Sequence, residues 1–268
     1  RERLNAILDP DTFFLELYNM ANYLVEDTNS DTSIPGANLI AGIGYISGVK
    51  CMIMIDDSGI KAGAASEATI DKALGCLDIA LKQKLPCVHL VESAGVDLPN
   101  YSVKLWSKFG SVFYKKAKLS AAGIPVIAIL HGFSTAGGAY QIGMSDYVIG
   151  VKGNGMAALA GSALLKAATG ENASNSDIGG VEMHSVVTGS VEYLVNDDAE
   201  SIITVRKLID QLNWNENDAQ KTTLNFEDPE YPIEDLAGIV PTDYSKGYDV
   251  REVIARLVDQ SVFIELIL

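Results

Sequence analysis

From residue 67 to residue 151, short apolar runs alternate with long helical patterns, and this alternation constrains the fold more than any other feature of the chain. A helix over Glu67–Lys82 leads to a strand at Pro86–Val91, and a helix over Lys104–Ala122 leads to a strand at Val126–Leu130. A third helix from about Gly137 leads to a strand at Tyr147–Val151. Strands separated by helices at this spacing are joined by crossovers, which predicts a parallel sheet. In such sheets ligands gather where the strands end at their carboxyl termini. Two loops leave strands there, Glu92-Ser93-Ala94-Gly95 and Ser134-Thr135-Ala136-Gly137-Gly138.

The second loop belongs to the run Thr135-Ala136-Gly137-Gly138-Ala139-Tyr140, which follows the apolar stretch Ile124–Leu130 and opens a helical segment. A strand that delivers two glycines to a helix start aims several backbone N–H groups at one spot. Glycine also lets the backbone approach a ligand most closely. That arrangement suits an oxygen gaining negative charge during a reaction. The same run serves equally well as a tight strand-to-helix turn packed for its own sake.

The flanking segments are read more simply. Residues 2–24 are predicted largely helical, with Asp11 as N-cap of a helix over Thr12–Tyr23. Ala37–Ile46 and Val49–Ile55 are predicted strands joined at Ser47-Gly48. Gly42-Ile43-Gly44-Tyr45 imitates a nucleotide-binding loop, but it leads into a hairpin rather than a helix. No P-loop occurs, so ATP chemistry is not expected. A helix over Asp197–Leu212 closes the compact part. Residues 213–248, rich in Asn, Asp, Glu, Pro and Thr, read as a linker or docking arm, and a helix over Val250–Asp259 follows. The domain reading is 1–224 for the compact domain, with 225–268 as linker or arm and the start of a truncated second domain. Both ends of the chain look cut, as in a fragment of a longer protein.

The formal charge of −15, from 35 acidic and 20 basic residues, excludes a nucleic-acid surface. Cys51, Cys76 and Cys87 show no metal-like spacing with His89, His131 or His184, so no metal is expected. Isolated cysteines in apolar or helical runs fit reduced core residues. No signal-peptide pattern and no membrane-length apolar run is read, and the expected location is the cytoplasm, or the mitochondrial matrix in a eukaryote.

Several phrases in order resemble the carboxyltransferase (β) subunits of biotin-dependent acyl-CoA carboxylases, of the propionyl-CoA and methylcrotonyl-CoA type. Arg1-Glu2-Arg3-Leu4 with Leu8-Asp9-Pro10 and Phe13-Phe14 is similar to that family's opening. Leu85-Pro86-Cys87 and Leu90-Val91-Glu92-Ser93-Ala94-Gly95 are similar to its "LPC" and "LVDSGGA". Leu119–Pro125 and Thr135–Tyr140 match a signature ending in "AGGAY". Leu159-Ala160-Gly161 with Lys166–Glu171, Gly179-Gly180 with His184, and Tyr248–Ala255 match further phrases.

The resemblance implies an α/β fold, a crotonase/ClpP-like spiral of ββα units with a mostly parallel sheet, with this chain as the N-terminal of two such domains. It implies carboxyl transfer between carboxybiotin and an acyl-CoA carbon (α, or vinylogous γ) through a thioester enolate. Biotin would arrive on a partner protein or domain, the CoA thioester would be the substrate, and no side-chain acid or base would be needed. Gly137 and Gly138 would supply N–H donors to the thioester oxygen, and Ala94 and Gly95 a second donor. Lys61-Ala62-Gly63-Ala64, Ala136 and Gly161 would lie along the substrate. The implied partners are biotin carboxyl carrier and biotin carboxylase components and further copies of the chain. The active site would lie between the N-terminal domain of one subunit and the C-terminal domain of another, leaving this fragment nearly inactive alone.

The chain departs from the family pattern at named positions. Asp56-Asp57 stands for Asn-Asp, Ala62 and Ala94 each replace a glycine, and Gly75 and Ser111 stand where arginines are usual. Asp97 replaces an arginine or asparagine. Lost arginines weaken phosphate binding, for which Lys72, Lys104, Lys108, Lys115 and Lys116 are the available substitutes; otherwise these lysines line a solvated helix face. Gly161 is expected to serve a close backbone approach, and His184 an ordinary hydrogen-bonded role. Two other readings compete: a non-catalytic assembly protein that keeps the fold, and a serine hydrolase built on the near miss Gly132-Phe133-Ser134-Thr135-Ala136 of G-x-S-x-G.

Overall fold

The computed structural model describes residues 1–215, 226–243 and 245–265. The chain divides into one unit over Arg1–Trp214 and another over Asn215–Leu266. The expected boundary at 224/225 lies outside the described residues.

The larger unit is built on a seven-stranded sheet: β1 (Leu15–Glu16), β2 (Leu39–Ile46), β3 (Val49–Asp56), β4 (Cys87–Val91), β5 (Val126–Leu130), β7 (Tyr147–Val151) and β9 (Tyr193–Val195), in that spatial order. From β3 onward every neighbouring pair in it is parallel, as the crossover spacing requires. A second, two-stranded parallel sheet pairs β6 (Phe133–Thr135) with β8 (Met156–Ala158). The helices are α1 (Glu2–Ile7), α2 (Glu67–Gln83), α3 (Val103–Ala121), α4 (Gly137–Gly143), α5 (Ser162–Thr169), α6 (Asn175–Gly179), α7 (Val181–Met183) and α8 (Asp198–Gln211).

Alternating side chains bury both faces of the main sheet. Met52, Met54 and Cys87 face one way, into a core with Ile70, Leu77, Phe109 and Leu119 of α2 and α3. Cys51, Ile53, Val88 and Leu90 face the other way, onto Leu4 and Ile7 of α1 and Val205 and Ile209 of α8. Every residue of β4 and β5 is buried. Buried on both faces, these two strands form a stiff platform for the loops that leave them.

The largest correction lies near the N-terminus. Residues 12–23 form no helix; Leu15 and Glu16 pair as an edge strand with Ile43 and Gly42. The N–H of Leu17 continues this pairing by donating to the Ala41 carbonyl at 2.8 Å. Asp11 has φ +58° and caps nothing. Phe13 and Leu15 stay exposed, so the apolar spacing that imitates a helix face buries no helix. Tertiary pairing on a preformed hairpin outweighs weak local propensity here.

In the smaller unit the described residues hold α9 (Leu236–Ile239) and α10 (Val250–Ile254). The expected helix Val250–Asp259 therefore ends five residues early. Arg256, nearly buried, folds back onto the Glu252 carbonyl and carboxylate at 2.8 Å each, and its guanidinium lies 5.2 Å from the Tyr231 ring centre. Among the described residues, no helix is long and apolar enough to cross a membrane.

Asp9 pins the β2–β3 hairpin from outside the sheet. Its carboxylate accepts from Ser47 N at 2.8 Å, Gly48 N at 2.7 Å and Arg206 Nη2 at 2.6 Å. Burial opposes its charge, but the Gly48 N–H, the Arg206 guanidinium and the Ser47 N–H prevail and hold its pKa below the usual range. A lowered native pKa means stability that is complete above the unfolded carboxyl's pKa, about 4, and lost as the pH falls below it. Replacing Asp9 with Ala is expected to cost about 1–3 kcal/mol at neutral pH. In urea denaturation the difference between wild type and D9A should shrink as the pH drops towards 3.

Candidate active site

Three chain segments meet beyond the carboxyl ends of β3, β4 and β5. The first is the one-turn 3-10 segment Lys61–Gly63 with Ala64 and Ala65. The second is the 92–95 loop and the third the turn from Phe133 to Gly138. Hydrogen bonds stitch the first two together: Ala94 N to Ala62 O at 3.2 Å, Ser93 Oγ to Gly63 O at 2.9 Å, and Ala65 N to Gly95 O at 2.7 Å. Thr135 N donates to Ser93 O at 2.9 Å, which joins the third. The structure therefore gathers Lys61, Ala62, Gly63, Ala64, Ala94, Gly95, Ala136, Gly137 and Gly138 in one place. Gly161 stands two residues after Leu159, whose carbonyl accepts the Ala136 N–H at 3.2 Å. It caps α5, and its contacts run to Asn175, whose Oδ1 is 3.3 Å from where a Cβ on Gly161 would sit.

Close approach makes two of these glycines obligatory. A Cβ on Gly138 would fall inside the van der Waals surface of the Ser93 carbonyl, and one on Gly63 would strike the Glu92 carbonyl. Gly63 also holds φ +72°. Ala136 adopts φ 50°, ψ −117°, a conformation costly for a residue with a side chain. Its N–H is held by the carbonyls of Ala158 and Leu159 at 3.0 and 3.2 Å, which fixes the strained turn.

The donors divide sharply. Among the described residues, the N–H groups of Gly137 and Gly138 have no hydrogen-bond acceptor. Those of Ala94 and Gly95 do: Ala94 N donates to Ala62 O, and Gly95 N to Ser93 Oγ at 3.2 Å. The second donor expected from that loop is thus already engaged at both positions, because the loop needs those bonds to hold its shape. The free pair is Gly137 and Gly138 alone.

The lysines divide between a solvated helix face, where Lys104 is exposed, and the protein interior, which holds Lys72 and Lys116. Lys104 and Lys108 pair with Glu67 at 2.8 Å each, Lys108 also reaches Asp71, and Lys115 pairs with Asp78. Lys72 and Lys116 are buried inside the protein, where no phosphate reaches them. Lys61 is bound by two carboxylates, Glu26 at 3.0 Å and the largely buried Asp97 at 3.1 Å. Its bonds to Glu26 and then Asp97 raise its pKa and keep it cationic. At Asp97 burial opposes the charge, but Asn100 and Lys61 prevail and lower its pKa. Lys61 borders a cavity of about 280 Å³ shared with Glu26, Asn38 and Thr69.

Ser134 does not form a nucleophile. Its Oγ is sealed from solvent and has no hydrogen-bond partner. His184 Nε2 faces the Ala157 carbonyl at 2.7 Å and Nδ1 faces Thr188 Oγ1 at 3.1 Å, the structural role expected of it. No metal-binding cluster of three His, Cys, Asp or Glu occurs among the described residues.

With this geometry in hand, comparison with known proteins is decisive: residues 1–267 match the family described as the carboxyl transferase domain. The chain belongs to that family. It is 42% identical over 265 residues to the probable biotin-dependent acyl-coenzyme A carboxylase beta2 subunit of Mycobacterium tuberculosis, covering 99% of this chain and 48% of that protein. It is 39% identical over 267 residues to the mitochondrial methylcrotonoyl-CoA carboxylase beta chain of Dictyostelium discoideum, covering 99% and 45%. A solved transcarboxylase 12S, described as a hexamer assembly with methylmalonyl-coenzyme A and methylmalonic acid bound, matches with TM-score 0.83 at 28% identity, covering 99% of this chain and 51% of that one. The fold is the expected crotonase-like α/β spiral with a mostly parallel sheet. The chain spans about half the length of the curated relatives it matches.

Two features of this carboxyl transferase domain escape a reading by motif. One is the clamp of Asp97 and Glu26 on Lys61, which joins residues 36 and 35 positions apart in sequence. The other is Lys116. On α3 the residues Leu105, Phe109, Val112 and Leu119 recur at helical spacing and are buried, and position 116 falls in the same stripe. A lysine in an apolar stripe is the signal that marks it as buried.

The Gly138 contact makes the turn intolerant of any side chain. Gly138→Ala is expected to destabilise the fold by about 1–3 kcal/mol, because Ser93 and the turn must separate. A thermal midpoint unchanged from wild type would contradict the contact.

Proposed function

We propose that this domain is half of an acyl-CoA carboxyltransferase, in which the N–H groups of Gly137 and Gly138 hold the thioester oxygen of an acyl-CoA enolate. The observation that carries the reading is the pair of unengaged N–H groups on a turn held rigid by Ala136, Thr135 and Ser93. Fixed donors of this kind act without reorganisation as charge develops, and losing one typically costs ~10²–10³ in rate. The acyl-CoA surrenders a proton from its α (or vinylogous γ) carbon, the electrons move onto the thioester oxygen, and the resulting carbanion takes the carboxyl group. Carboxybiotin, brought by a partner, supplies that group and its ring accepts the proton.

The names of the relatives support the same class. They include a biotin-dependent acyl-CoA carboxylase subunit and a methylcrotonoyl-CoA carboxylase chain, and the 12S neighbour is described as a hexamer on a multienzyme core. By that likeness the partners here are biotin carboxyl carrier and biotin carboxylase components and further copies of the subunit. The test is carboxyl transfer by the full-length protein from carboxybiotin to a panel of acyl-CoAs. No transfer to any of them, with the protein folded and assembled, would overturn the reading.

A second reading, an assembly protein that keeps the fold without turnover, draws on the Lys61 clamp. A cation already neutralised by two carboxylates attracts CoA phosphates less than a free one. If this clamp limits binding, Asp97→Asn in the full-length protein should tighten acyl-CoA binding severalfold, with the gain shrinking at high salt. Calorimetric titration of both proteins checks this. Equal affinities would remove the clamp from the binding argument.

A further inference from the structure

Behind the loops of the site, on the sheet face covered by α3, three ionisable side chains lie in one buried line. Lys116 is fully buried, and its Nζ donates to the Gln141 carbonyl of α4 at 3.1 Å and faces His89 Nδ1 at 3.4 Å. His89, also buried, faces Asp56 Oδ1 through Nε2 at 3.1 Å. The other oxygen of Asp56 accepts the backbone N–H of Glu92 at 3.2 Å, where the 92–95 loop begins.

The direction of each bond follows from chemistry. Burial lowers the imidazole pKa, against the pull of Asp56, so the ring is neutral with one N–H. A carboxylate only accepts, which puts that N–H on Nε2 and leaves the Nδ1 lone pair to accept from Lys116. The line thus runs donor to acceptor from Lys116 to His89 to Asp56. A buried lysine among apolar residues is costly unless its bonds fix something that packing alone would not. The two ends of this line are the two segments whose spacing sets the site: the 92–95 loop, and the helix that follows Gly137 and Gly138.

We infer that Asp56, His89 and Lys116 are positioning residues that couple the 92–95 loop to α4 through one buried hydrogen-bonded line. The functional weight of the coupling rests on the reading of Gly137 and Gly138 as the thioester-oxygen site; the coupling itself does not. The groups facing Lys116 are His89 and Cys87 on β4, Asp56 on β3 and the Gln141 carbonyl on α4. Burial brings the Lys116 pKa down to about 8, against the opposing pull of Cys87 and Asp56. Its neutral amine has two N–H groups for the two acceptors it meets, so the line survives deprotonation. A native pKa below the unfolded one, about 10.4, means that stability rises with pH between the two values.

Hydrogen exchange on the full-length protein, read in peptides spanning 92–97 and 134–143, tests the coupling without reference to activity. In Lys116→Met the 92–97 peptide, which Lys116 does not touch, should exchange at least about tenfold faster, along with 134–143. Asp56→Asn keeps the shape of the side chain and should loosen the distant 134–143 peptide as well as 92–97. If each variant loosens only the segment it contacts, the inference is wrong. The rise of the urea midpoint from about pH 8 to pH 10 should be smaller in Lys116→Met than in wild type; an equal rise would place the lysine outside this line. Coupled loosening with unchanged kcat for carboxyl transfer would uphold the coupling and overturn the role of the turn. Coupled loosening with a fall in kcat and little change in KM would uphold both.

Discussion

Strands β4 and β5 end side by side, and the chain leaves each in a loop that must share the same small volume above the sheet. The two loops fit because Gly138 has no Cβ to meet the Ser93 carbonyl, while Thr135 N donates to that same carbonyl at 2.9 Å. A single oxygen therefore sets the spacing of the loops, by contact on one side and by a hydrogen bond on the other. The other features of the site follow from this spacing. Gly63 can pass under Glu92, Ser93 Oγ can reach the Gly63 carbonyl at 2.9 Å, and the Gly137 and Gly138 N–H groups are left without an acceptor among the described residues. The close packing of Gly138 against Ser93 and the unengaged N–H groups of the turn thus come from one arrangement.

Much of this was legible in the sequence, for reasons particular to each element. Val126–Leu130 and Tyr147–Val151 were bounded correctly because strands buried on both faces leave an uninterrupted apolar run between turn residues. Helices α2 and α3 were legible because their amphipathic stripes span four and five turns and Ser66 and Ser102 cap their starts. Residues 12–23 were not, because the edge pairing of Leu15 and Glu16 depends on a partner strand about 26 residues further on. Short elements such as β6 and β8 were missed for the same reason: three residues carry too little pattern, and each is defined only by the other. At the site, the glycines were visible as a motif. Whether a given N–H is free or engaged was not, since it depends on where distant carbonyls such as that of Ala62 come to rest.

The charge of the chain was also legible only in total. A formal charge of −15 says that carboxylates outnumber cations, and the structure shows the local consequence. Lys61, Lys104, Lys108 and Lys115 are each held by one or more carboxylates. Pairs as exposed as Lys104–Glu67 contribute little to stability. Their effect is rather on the potential that an approaching anion meets, since a paired ammonium presents a dipole where a free one presents a charge. At Gly75 the Tyr18 ring fills the space that a side chain would need, so no cation fits there without repacking.

Backbone strain, found at several turns of the chain, is also present at the site. Lys61, Ala62 and Ala136 all hold positive φ without being glycine, at 49°, 52° and 50°. Each such residue costs of order 1–2 kcal/mol and persists only where its surroundings fix it. Ala136 is fixed by its bonds to Ala158 and Leu159, and Ala62 by receiving the Ala94 N–H. The bond that engages the Ala94 N–H therefore joins the Ser93 Oγ bond to Gly63 in holding the strained Lys61–Gly63 turn in place. If that N–H were released to a ligand, the Ala62 carbonyl of the turn would lose its donor. The loop on this side spends its N–H groups on holding its own shape, and the N–H groups of Gly137 and Gly138 on the opposite turn do not.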